Sequence, residues 1–129
     1  MVVAAGNYGR LSVDGSNGYG TITAPGNDPY AITVGATNSN GSTSQSAETL
    51  TSYSSKGPTT YDHVVKPDLV APGNGIVSLS ASGATLEATY PTDLVNGNDG
   101  KSDYFTLSGT SMATPVVSGA VALLLNQAA

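Results

Sequence analysis

The chain has no cysteine, no tryptophan, one histidine, one phenylalanine and four basic residues among its 129. Without cysteine there is neither a disulfide framework nor a thiolate metal site, so the fold must hold by packing. Charged residues make up only 10% of the sequence, nine acidic against four basic, for a net charge of −5. That balance excludes a nucleic-acid-binding face and attraction to an anionic membrane surface. Long apolar runs are lacking too: Val116 to Leu125 is the longest mainly apolar stretch, well short of the roughly 20 residues that cross a bilayer. Met1 is followed by VVAAGN with no basic stretch, so no signal peptide is read there.

What the chain has instead is small and polar. Its 16 glycines and seven prolines punctuate short apolar segments, the pattern of a loop-rich domain kept soluble by hydroxyls and amides. At this length one small domain, or part of one, is expected, with no internal repeat and no linker that divides it. MVVAAGN is β-branched and small without polar alternation, which predicts a strand buried on both faces and stopped by Gly6. The stretch from Tyr8 to Pro29 reads as surface loop, and Tyr30 to Thr37 as a second strand. LTSYSS, Leu50 to Ser55, alternates like a short strand, and DLVAPG and IVSLS supply two more short apolar pieces. Residues 81–103 hold four of the nine acids and read as a polar excursion.

From Tyr104 to Ala129 there is no charged residue. Met112, Ala113, Val116, Val117, Ala120, Val121 and Leu123 to Leu125 cover nearly every side of a helical wheel, which predicts a central helix enclosed on all sides. Thr110 and Ser111 sit where an N-cap would, just after Gly109. At such a helix start, free N–H groups and the positive end of the dipole stabilise an anion. A serine there either caps the helix or acts as a nucleophile whose oxyanion those donors hold.

The whole string GTSMATP, Gly109 to Pro115, resembles the serine motif of the subtilisin-like serine proteases, the subtilases. The alternative elbow G-x-S-x-G fails, because Ala113 occupies its last position. Further stretches are similar to the family in the same order: VVAAGN, APGNDPYAITVGAT, and YSSKGP with KPDLVAPG. The resemblance implies an α/β fold, part of a three-layer architecture with a mostly parallel sheet and a buried helix starting near Ser111. Residues 1–129 would then be the C-terminal portion of a catalytic domain. It also implies that Ser111 is the nucleophile, and that the Asn7 side-chain amide and the Ser111 N–H form the oxyanion hole. A carboxamide suits that place, being a neutral donor that does not titrate; without Ser111, Asn7 would read as a turn residue after Gly6. In the family the strand before this asparagine and the loop before APG line the specificity pocket, which points to Ala4, Ala5, Gly6 and Thr23. Their small side chains fit an open pocket for an apolar group or, equally, close strand packing. A cis bond before Pro25 is implied as well.

The family places its catalytic groups in the order Asp, His, Ser. Only six residues precede Asn7, so the segment carrying the catalytic Asp and His is expected to be absent. His63, in YDHVVKP, lacks the family's His-Gly-Thr context and follows Asn7, so it reads as a surface or strand-edge residue. Asp62 and Asp68 read as solvated or structural, and Val116 stands where the best-known members often carry histidine, outside the catalytic set. The expected function is therefore that of a fragment of a secreted, extracellular serine endopeptidase acting on polypeptide substrates, inactive alone. No cofactor is required for the chemistry and no metal ligand is assigned in this chain, with room for a structural calcium in the intact parent. Neither nucleic acid nor membrane is an expected partner; self-association or pairing with the N-terminal half is. The competing reading is a non-catalytic binding or structural module that keeps a protease-like half-fold.

Overall fold

The computed structural model describes residues 1–10, 14–15, 17–101 and 103–128. The elements run β1 (Val2–Ala4), β2 (Ile32–Asn38), β3 (Thr49–Leu50), β4 (Leu69–Pro72), β5 (Ile76–Leu79), α1 (Thr85–Thr89), β6 (Leu94–Val95), β7 (Tyr104–Leu107) and α2 (Thr110–Gln127). The chain forms two compact units, one of Met1–Asn74 with Gly109–Ala129 and one of Gly75–Ser108.

In the first unit β2 is the central strand. Its β-branched residues suit a pleated, doubly covered position. β1 pairs parallel to it with Val3 opposite Thr33, β4 pairs parallel with Ala36 opposite Ala71, and β3 adds antiparallel at its end. The sheet is thus mostly parallel and the fold α/β, as the resemblance implies. Ile32, Val34 and Ala36 of β2 pack with Ala71, Ala113 and Val117 into the core that joins sheet and α2. Alanines at the contact let the helix axis lie close, and burying Val34 and Val117 contributes about 1.5–3 kcal/mol each. The opposite face of β2 is covered by irregular chain: Thr33 Oγ1 donates to the Gly26 carbonyl at 2.7 Å, and a Cβ at Gly35 would stand 2.9 Å from Ser54 Oγ.

Two local expectations change. α2 buries a single stripe, Thr110, Ala113 and Val117, and leaves Leu123, Leu124 and Leu125 exposed, because this chain offers the helix only one sheet face. Its N-cap is Gly109, and Thr110 is already the first helical residue. LTSYSS pairs as strand only at Leu50, together with Thr49 before it. Beyond it the polar groups are drawn into single bonds: Thr51 Oγ1 donates to the Ala36 carbonyl at 2.9 Å and Tyr53 Oη to the Gly73 carbonyl at 2.9 Å.

The second unit is an antiparallel sheet in the order β5, β7, β6, with Phe105 buried. The polar excursion thus contributes α1 and β6. Glu87 of α1 gathers the turn before it, accepting from Ser80 Oγ at 2.6 Å and from the Gly83 N–H at 2.9 Å. No helix among the described residues is long and apolar enough to cross a membrane.

Candidate active site

The site begins where β1 ends. Gly6 turns the chain at φ +106°, and a Cβ there would lie 2.7 Å from Thr23 Oγ1 and 2.9 Å from Ser55 Oγ, so no other residue fits. The turn delivers Asn7 to the head of α2. Its Oδ1 accepts from the Thr110 N–H at 3.0 Å and from Thr110 Oγ1 at 3.1 Å, while Thr110 Oγ1 accepts from the Gly6 N–H at 3.2 Å. Asn7 thus caps a distant helix whose own N-cap, Gly109, brings no side chain. A Cβ at 109 would stand 3.3 Å from Asn7 Nδ2, so any larger residue there would press on the amide.

With Oδ1 spent, Asn7 Nδ2 has no acceptor among the described residues. The Ser111 N–H has none either, the next one, that of Met112, going to the Gly109 carbonyl at 3.0 Å. Two donors without acceptors among the described residues, the Asn7 amide and the N–H of Ser111 itself, therefore share one cleft lining with an exposed serine at the positive end of an 18-residue helix. They can hold negative charge as it develops on an oxygen beside Ser111.

Ser111 and Asn7 open onto a cleft of about 410 Å³ whose walls include Ala4, Gly6, Thr23, Pro25 and Thr114. Three of the four expected pocket residues are there. Ala5 is not: it is 0% exposed, its N–H bonded to the Val34 carbonyl at 2.9 Å and its own carbonyl to the Thr23 N–H at 3.1 Å. Those two bonds and its full burial hold it beneath the turn, out of the lining. Thr114, three residues along α2 from Ser111, was readable from helical spacing and was missed. The Ala24-Pro25 bond is cis, as expected, and so are Gly57-Pro58 and Lys66-Pro67.

His63 is exposed with φ +53° and lines a different cleft, of about 720 Å³, with Tyr19, Leu50 and Pro58. Asp62 accepts from Thr59 Oγ1. Asp68 is structural: its Oδ2 meets Lys66 Nζ at 2.7 Å and the Thr33 N–H at 2.7 Å. Burial works against its charge, but the Lys66 and Thr33 hydrogen bonds and the Lys66 charge outweigh that and lower its pKa from 3.8. A structural calcium would need several grouped oxygen donors. No group of three or more His, Cys, Asp or Glu suited to a metal exists among the described residues.

An exposed serine beside donors without acceptors, at the head of a helix on a mostly parallel sheet, is an arrangement that a serine hydrolase can use. The subtilase family model matches residues 1–129, and the chain belongs to that family of serine proteases. It is 42% identical over 127 residues to serine protease AprX of Bacillus subtilis (strain 168), which covers 98% of this chain and 26% of AprX. Subtilisin-like protease SBT5.4 of Arabidopsis thaliana is 45% identical over 76 residues, 58% of this chain and 9% of that protein. The solved structure of sphericase superposes with a TM-score of 0.56 at 31% identity, over 91% of this chain and 31% of that one. The chain thus spans about a quarter of the length of AprX and less of SBT5.4.

Proposed function

We propose that this chain is the C-terminal portion of the catalytic domain of a secreted, extracellular serine endopeptidase, inactive by itself. The observation that carries the reading is the pair of donors, Asn7 Nδ2 and the Ser111 N–H, left without acceptors while Thr110 locks Asn7 Oδ1. In the reaction Ser111 Oγ attacks the scissile carbonyl of a polypeptide and gives up its proton to a base. The carbonyl oxygen becomes an oxyanion facing the two donors, and its collapse expels the amine, which takes the proton. Water then hydrolyses the acyl ester on Ser111. His63 lies in the other cleft, so the base must come from the part of the domain that the family places ahead of Asn7. A pure binding module would require neither the Ser111 hydroxyl nor an aimed Asn7 amide.

An organophosphonate, which phosphonylates a serine only when a base activates it, tests this. The isolated chain is expected to stay unlabelled, because oxyanion stabilisation alone accelerates reaction by about 10³ to 10⁴ over water, too little to register. Adding the segment with the catalytic Asp and His should give stoichiometric labelling that Ser111→Ala abolishes. Fast labelling of the isolated chain would place a base within it, and an unlabelled complex would reject Ser111 as nucleophile.

The partner of that reaction also has a place to bind. β1 pairs with β2 on one edge, and no other strand takes its far edge among the described residues. Met1 is 75% exposed, and α2 leaves Leu123 to Leu125 in water. Such an edge recruits a strand. The isolated chain is expected to self-associate in light scattering as concentration rises, and to form a 1:1 complex when the remaining segment is supplied. A monomer at every concentration, with the Val2 and Ala4 amides, which the register turns away from β2, protected from exchange, would reject this surface.

A further inference from the structure

We infer that Ser55 is a positioning residue for the Asn7 donor. The inference rests on reading Asn7 as the oxyanion donor. Ser55 is 1% exposed, and its two bonds bracket Asn7: its N–H donates to the Gly6 carbonyl at 2.9 Å, and its Oγ accepts from the Tyr8 N–H at 3.0 Å. The peptides on either side of Asn7 are therefore held from one buried residue. Thr110 holds the side chain through Oδ1, and the Gly6 N–H is in turn bonded to Thr110 Oγ1. Only Nδ2 remains free to point at a ligand. An oxyanion donor acts only when held to about 0.5 Å of its working position, and a lone residue after a glycine turn has no such rigidity of its own.

The neighbouring serine separates positioning from plain stability. Ser54 is 0% exposed, and its Oγ likewise accepts one backbone N–H, that of Ala36 at 3.0 Å, in the middle of the sheet. Residue type, burial and bond type match those of Ser55, but none of its bonds reaches Gly6, Asn7 or Tyr8.

The test compares Ser55→Ala with Ser54→Ala in the full chain by urea denaturation and by NMR hydrogen exchange. Both should lower the folding equilibrium constant by a similar factor, about tenfold. The Thr110 N–H, whose acceptor is Asn7 Oδ1, should then exchange about tenfold faster in Ser55→Ala than in Ser54→Ala at matched stability. Equal exchange at Thr110 in the two variants would overturn the inference. Should Ser55→Ala not fold, Ser55→Cys decides, since its thiol keeps the shape with a weaker acceptor; Thr110 exchange must rise there too, and an unchanged rate overturns the proposal. The readout needs no catalysis, so a failure of Ser111 labelling and a failure of this positioning remain distinguishable.

Discussion

Asp68→Ala is expected to destabilise the chain by about 3 kcal/mol, near the lower end of what breaking a buried ion pair costs. Lys66 Nζ would be left on a side chain only 1% exposed, with the Ala31 carbonyl at 2.7 Å as its remaining partner. The Thr33 N–H would lose its 2.7 Å acceptor in the same step. The lower end applies because the Asp68 side chain is 40% exposed, so water screens part of the interaction. Asp68→Asn keeps an acceptor for Thr33 and should cost about 1–2 kcal/mol. Urea denaturation at pH 7 measures both, and a loss below about 1 kcal/mol for the alanine variant would show that Lys66 reaches water without Asp68.

The same pair sets an acid limit. Asp68 has a lower pKa folded than its ordinary 3.8, so the folded state binds its proton more weakly than the unfolded chain does. Its contribution is present in full above the unfolded value and is lost as pH falls through the folded one. The parent chain should therefore lose stability below pH 3.8 that Asp68→Asn does not lose.

Asp68 read only as solvated or structural, and its pairing with Lys66 was not readable beyond the bare landmark KPDLVAPG. Lys66 and Asp68 are two residues apart, but what they hold, the Ala31 carbonyl and the Thr33 N–H, lies 35 positions away in sequence. The same distance hides the supports of the site. GTSMATP was legible because the whole string resembles the subtilase serine motif, whereas the helix head by itself left cap and nucleophile open; β1 and β2 were legible because β-branched runs carry their own signal. Thr110 reaches Asn7 across 103 positions and Ser55 reaches Tyr8 across 47, contacts that no periodicity announces. LTSYSS misled for a related reason: alternation marked it as strand, whereas Thr51, Tyr53, Ser54 and Ser55 each engage a hydroxyl with a separate backbone partner.

Asn7→Asp is expected to leave the chain at least as stable as the parent while slowing organophosphonate labelling of Ser111, in the complex with the segment carrying Asp and His, by at least about 10³. The two effects come from the two ends of one carboxamide. A carboxylate oxygen still accepts from the Thr110 N–H, now 3.0 Å from Oδ1, and its charge at a helix N-terminus adds about 0.3–1 kcal/mol of stability. The other end changes sign. Where Nδ2 donated, an oxygen would face the oxyanion, so one donor worth about 10² to 10³ is lost and a like charge is added. Asn7→Ala removes both ends and should slow labelling while also costing about 1 kcal/mol as a lost cap. Denaturation and labelling rates of the two variants give the answer together. If Asn7→Asp labelled at the parent rate, Asn7 would be a helix cap and nothing more, and the oxyanion would have to be held by the Ser111 N–H with donors from elsewhere.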